Sequence, residues 1–193
     1  MTMTAQEYQK RNERSYKLLL LFAMISMTMM FAGITSAFVV SKSRRDWLHD
    51  FDIPITFFYS LIAIVLCSVT FHFAKKSIQK DKRLQTTLLL LATLGLGLFF
   101  VYSQFHGFTI LFEHNLVPVG PSSKITISFL YMIVAVHLLH LAGGIISLLV
   151  IIYNHFKQKY NSSQFLGIEL GAMYWHFLDF LWIYLFLFIY FFK

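Results

Sequence analysis

Long apolar runs alternate with short polar segments along this chain, and the alternation predicts an all-α fold. Crossing the hydrocarbon of a bilayer takes about 20 apolar residues in a helix. Residues 18–40, 53–74, 86–112, 125–153 and 168–192 each meet that length, so five transmembrane helices are expected. The third and fourth runs are over-long, which predicts tilt or helix continuing past the lipid. A polar arm, MTMTAQEYQKRNERSYK, precedes the first run. That run exceeds the roughly 7–15-residue core of a signal peptide and has no small-residue cleavage site, so the arm is expected to stay. Pro54 opens the second run, where proline costs little. Pro118 and Pro121 bracket a turn in NLVPVGPSSK. No repeat or long linker divides the chain, which reads as an arm (1–17) and one five-helix domain (18–193).

Composition sharpens this picture. The chain is 58% hydrophobic and only 13% charged, too apolar for a soluble domain of its size. Lys10, Arg11, Arg14 and Lys17 lie before the first run, and Lys75, Lys76, Lys80, Lys82 and Arg83 follow the second. Lys157 and Lys159 follow the fourth. The opposite side carries fewer: Lys42, Arg44, Arg45, Lys124 and Lys193, with Asp46, Asp50 and Asp52 offsetting its first loop. The positive-inside rule therefore predicts a cytoplasmic N-terminus and a periplasmic C-terminus. The net charge of +7 follows from these membrane-flanking loops, which suit anionic lipid, and nucleic-acid binding is excluded as a reading. Cys67 is the only cysteine, so an internal disulfide, CxxC zinc sites, iron–sulfur clusters and a dinuclear copper centre on paired thiolates are excluded.

Small residues mark expected helix contacts: Ala32, Gly33, Ser36 and Ala37 in the first run, and Gly143, Gly144 and Ser147 in the fourth. Trp47, Tyr102, Tyr184 and Tyr190 are candidates for interfacial positions or helix contacts. More telling are the ionisable residues at mid-membrane. His137 and His140 lie in the fourth run, His176 and Asp179 in the fifth, each pair spaced i,i+3 and so sharing a helix face. Glu169 sits two turns before His176 on the same side. A charged carboxylate at bilayer centre costs about 2.5–3.5 kcal/mol, so Asp179 must be hydrogen-bonded, ion-paired, protonated or near water. Three arrangements meet that need: a metal held by His137, His140, His176 and Asp179; a haem between two histidines; or a hydrogen-bonded network locking two helices. Too few carboxylates are present for a di-iron site. His72, His106 and His114 lie nearer the run ends, and no role is assigned to them.

The stretch ELGAMYWHFLDFLWIYLFLFIYF (169–191) resembles the last helix of subunit III of haem–copper terminal oxidases. That helix carries an acidic residue followed by a Tyr-Trp-His-Phe-x-Asp-x-x-Trp run, matched by Glu169, Tyr174, Trp175, His176, Phe177, Asp179 and Trp182. HLLHLAGG matches the family's His-x-x-His-x-x-x-Gly element through His137, His140 and Gly144. FAGITSAF (31–38) and Pro54 with Thr56 fit weaker elements. Two family carboxylates are missing, since Met27 follows Ser26 and Gly107 stands three residues after Gln104. Any proton-related role of those positions does not carry over. Longer members add two N-terminal helices across a lipid-filled cleft; a five-helix chain resembles the shorter bacterial form.

The resemblance implies a chain with no redox centre of its own, with haem and copper in partner subunits. Implied partners are oxidase subunits I and II, a small subunit IV and structural phospholipid in a bacterial cytoplasmic membrane, with a larger respiratory supercomplex open to it. Its implied work is packing on subunit I and supporting proton uptake during oxygen reduction. The His–Asp pair then becomes an expected helix-locking network. Alternatives are the related accessory protein of nitric oxide reductases and a stand-alone haem or metal membrane enzyme.

Overall fold

A computed structural model describes residues 5–48, 51–121, 123–162 and 164–192. Asp50 and Lys193, both weighed in the loop charges, lie outside the described residues. Among the described residues five α-helices follow one another, α1 (Ala5–Val40), α2 (Ile55–Ile78), α3 (Arg83–Glu113), α4 (Ile125–Phe156) and α5 (Leu166–Phe192), with a short 3-10 turn at Ser41–Ser43 after α1. All five are long and apolar enough to cross a membrane. Among the described residues there is no strand, only an isolated bridge between Asn161 and Gln164.

Stretches such as IVLCSVTF in α2 are rich in β-branched side chains, yet they are helical. In hydrocarbon every backbone N–H and C=O must be satisfied within the segment, and the helix does this without a neighbour. The helices outrun the apolar runs. α2 ends at Ile78 instead of 74, and α4 at Phe156 instead of 153. α1 starts thirteen residues before the apolar run begins, because the arm is helical from Ala5. Glu7 in its first turn complements the helix dipole.

Three helix ends close on left-handed residues at Asp81 (φ 53°), Asn115 (φ 58°) and Gln158 (φ 57°). The first makes the tight α2–α3 hairpin, where the Ser77 carbonyl accepts from the amides of Lys80 and Lys82. On the opposite face Thr126, at the start of α4, accepts from the Leu48 amide (2.9 Å) and pins the α1–α2 loop. In that loop Arg44 Nε donates to Asp46 Oδ1 (2.9 Å), and the hydrogen bond holds the Asp46 carboxyl below its ordinary range.

The most deeply packed helix is α5, which contacts α1, α2 and α4. Trp175 and Trp182 are fully buried, with Phe71 of α2 and Phe100 of α3 beside them. α1 lies across α4 and α5 through Phe31, Thr35 and Phe38 and leaves most of its surface outward. Ala32, Gly33, Ser36 and Ala37 are exposed. A Cβ on Gly33 would meet nothing within 4 Å, so the expected helix contact at Gly33 is not made within this chain. Gly143 is also exposed, with only the Tyr174 hydroxyl nearby. Gly144 alone of the three packs closely, where a Cβ would lie 3.3 Å from Leu178 and 3.4 Å from Tyr174. Trp47 packs on Phe38 at 4.8 Å, and the Tyr184 hydroxyl lies 3.4 Å from Thr35, whereas Tyr102 and Tyr190 face outward.

Candidate functional site

The expected polar residues spread along α4 and α5 in three groups. At the end near the N-terminal arm, Glu169 in the first turn of α5 takes two lysines. Lys17 Nζ of α1 lies 2.7 Å from Oε2, and Lys75 Nζ of α2 lies 3.3 Å from Oε1. One carboxylate thus joins three helices. Each such half-exposed pair contributes modestly, of order 0–1 kcal/mol.

One to two turns deeper, His176 Nδ1 and the Ser68 hydroxyl of α2 are 2.6 Å apart. The His72 ring, also on α2, stands 6.3 Å from that of His176. Both imidazoles, with Lys75, Lys76 and Gln79, line a cavity of about 360 Å³ open at this end. His72 had no role assigned from sequence; its i,i+4 spacing from Ser68 was the signal that α2 offers a polar stripe to α5.

Asp179 lies one turn beyond His176 and is 2% exposed. Neither carboxyl oxygen has a hydrogen-bond partner among the described residues. Cys67 and Ser68 of α2 are among its polar neighbours. Ser68 thus lies near both groups; among the described residues its hydroxyl is bonded to His176, while neither Asp179 oxygen meets a partner in hydrogen-bonding geometry. Of the four states open to Asp179 from sequence, pairing and hydrogen bonding are not adopted, leaving protonation or water.

On α4, His137 is fully buried and neither ring nitrogen is bonded among the described residues. It sits among Trp182 (5.0 Å), Phe100 (5.9 Å) and Phe31 (6.4 Å). His140 Nδ1 donates to the Val136 carbonyl of its own helix at 2.8 Å. The expected mutual network of acid and imidazoles is therefore not formed. Its physical reason is rotational register: His176 faces α2 and finds Ser68, while His137 faces an aromatic box. Among the described residues no three of His, Cys, Asp and Glu converge as a metal group, and His137, His140, His176 and Asp179 are not brought to one point.

The helices are locked by other means. Tyr174 of α5 donates to the His140 carbonyl (2.9 Å) and Trp175 Nε1 to the Gly144 carbonyl (3.2 Å). The missing Cβ of Gly144 lets α5 come close enough for the Trp175 bond, since a Cβ would press on Leu178 and Tyr174. Thr87 joins His155 (2.9 Å), and Thr70 joins Thr93 (2.9 Å). Gln104, Thr56 Oγ1 and Trp182 Nε1, noted in sequence only as motif positions, are also buried without partners among the described residues. Such groups cost about 1–3 kcal/mol each. At Gly107 a Cβ would come within 2.6 Å of the Phe57 ring, so Phe57 occupies the room an acidic side chain would need.

Comparison with known proteins follows the same boundaries as the bundle. Residues 5–193 match the model of the family described as Cytochrome c oxidase subunit III. Proteins named cytochrome c oxidase subunit 3 are similar to the chain over much of its length. That of Spodoptera frugiperda is 28% identical over 142 residues, which is 74% of this chain and 90% of the relative. That of Petromyzon marinus is 29% identical over 143 residues, again 74% of this chain but 51% of the relative. That of Thermostichus vulcanus is 25% identical over 175 residues, 89% of this chain and 84% of the relative. The chain thus spans about half the length of the longer relatives it matches and most of the shorter ones.

Proposed function

The chain belongs to the cytochrome c oxidase subunit III family, and on that premise we propose that it is a non-catalytic membrane subunit of a haem–copper oxidase. As such it stands in a complex with other oxidase subunits, and the haem and copper that reduce oxygen belong to those partners. Its own part is to pack on subunit I, to hold lipid and to support proton uptake. The observation that carries this reading is the family match over residues 5–193, which includes all five helices and the α5 motif from Glu169 to Trp182.

The geometry supports packing against another chain. α1 turns Ala32, Gly33, Ser36 and Ala37 outward, and small residues let a second helix approach closely where lipid gives no hydrophobic driving force. An apolar groove of about 450 Å³ between α1, α4 and α5, lined by Leu20, Val150, Ile151, Leu170 and Tyr174, suits an acyl chain of a structural phospholipid. The excess of basic residues beside the arm supports a cytoplasmic N-terminus in a bacterial inner membrane.

The test is purification in mild detergent through a tag on this chain, with mass spectrometry of what accompanies it. Oxidase subunits I and II in stoichiometric amount are expected. Recovery of the chain alone, or with subunits of another enzyme, would overturn the reading.

A further inference from the structure

Asp179 is a carboxyl at mid-membrane, 2% exposed, with no hydrogen bond or ion pair among the described residues. A native structure rarely leaves such a group without a purpose. Next to it stands Ser68, whose hydroxyl is 2.6 Å from His176 Nδ1. His176 in turn lines the cavity shared with His72, Lys75 and Gln79 at the end of the bundle near the arm. Solvent, imidazole, hydroxyl and carboxyl therefore follow one another along the α2–α5 seam. On the far side of Asp179 the seam is closed by Trp182, fully buried between the Phe57 ring at 6.3 Å and the Phe100 ring at 5.1 Å.

We propose that His176, Ser68 and Asp179 form a one-sided proton-exchange path, in which the buried Asp179 carboxyl takes and returns a proton through the cavity at the arm end. The inference rests on the α2–α5 seam alone and stands whatever complex the chain joins. Loading proceeds with His176 neutral and protonated at Nδ1. A hydrated proton from the solvent at the cavity mouth binds Nε2 and leaves its water behind, the Nδ1 proton passes to Ser68 Oγ, and the Ser68 proton passes to an Asp179 oxygen. One proton enters and one carboxylate is neutralised; His176 ends as the other neutral tautomer and no net charge stays in the seam. Since neither Asp179 oxygen is in hydrogen-bonding geometry with Ser68, the last transfer requires a rotamer change that carries the Ser68 hydroxyl from His176 to Asp179.

The titratable and charged surroundings are few. Cys67 and Ser68 face Asp179 from α2, with Cys67 donating to the Thr93 carbonyl of α3 at 3.4 Å. His72 and Lys75 of α2 stand at the His176 end. On α4, His137 is occupied by its aromatic box.

The experiment is infrared spectroscopy of the full chain in the complex with which it purifies, following the protonated-carboxyl C=O band after transfer to deuterated buffer. Asp179→Asn identifies the band by removing it. In the native protein the band should shift by deuteration promptly. Ser68→Ala and His176→Phe should each keep the band but slow its shift at least tenfold, and Ser68→Thr, which keeps the hydroxyl, should restore the rate. Absence of an Asp179-dependent band overturns the proposal. So does a shift of unchanged rate in Ser68→Ala and His176→Phe.

Discussion

Asp179 and Trp175, one turn apart on α5, place opposite demands on the fold. Trp175 is fully buried and donates to the Gly144 carbonyl, so Trp175→Ala removes a large packed ring together with a helix-locking hydrogen bond. A loss of about 3–5 kcal/mol is expected, read as a fall in melting temperature of the solubilised protein. Asp179→Leu should instead be neutral or stabilising, because an apolar group of similar shape replaces a buried acid without partners. A loss as large as that of Trp175→Ala would show that the carboxyl is bonded after all. Gly107→Glu, which restores the family's acid, drives a side chain into Phe57 and should cost about 1–3 kcal/mol, with Phe57→Ala relieving much of it. At this scale the sequence told which residues were unusual but not whom they meet. His176 and Asp179 stood out because charge is rare in hydrocarbon. That His176 would bond Ser68, and not His137 or His140, depends on the rotation of α5 between α2 and α4, which no local pattern encodes.

At the scale of helices the apolar runs marked all five long helices and misplaced most of their ends. Hydropathy measures what tolerates lipid, whereas a helix continues wherever its backbone bonds continue, as in the polar arm from Ala5 and the last turn of α2 at Ile78. The extension has a consequence: it carries Lys17 of α1 and Lys75 of α2 to Glu169 of α5. Glu169→Gln should lower thermal stability by less than about 1 kcal/mol at low salt, and the difference should shrink as salt is added. Melting curves at two ionic strengths check this; a difference that ignores salt would mean that Glu169 acts through something other than its ion pairs. The small residues of α1 show the opposite lesson. Small side chains do mark contact faces, but sequence does not say whether the contact is within the chain or with a neighbour, and Gly33 faces outward.

For the whole molecule, these features describe a bundle centred on α5, with large apolar side chains exposed on every helix. α5 is enclosed by α1, α2 and α4, while α1 offers its small-residue face to whatever lies beside it in the membrane. Gly33→Leu should leave the bundle and its melting behaviour intact, since nothing within 4 Å meets the added carbon, yet reduce the amount of chain recovered with the oxidase core several-fold. The most direct test of the central claim is a photo-reactive residue placed at position 33 in intact membranes, with the captured species identified by mass spectrometry. A covalent adduct with a core oxidase subunit is the predicted result. Capture of lipid alone, from a complex that remains assembled, would contradict it.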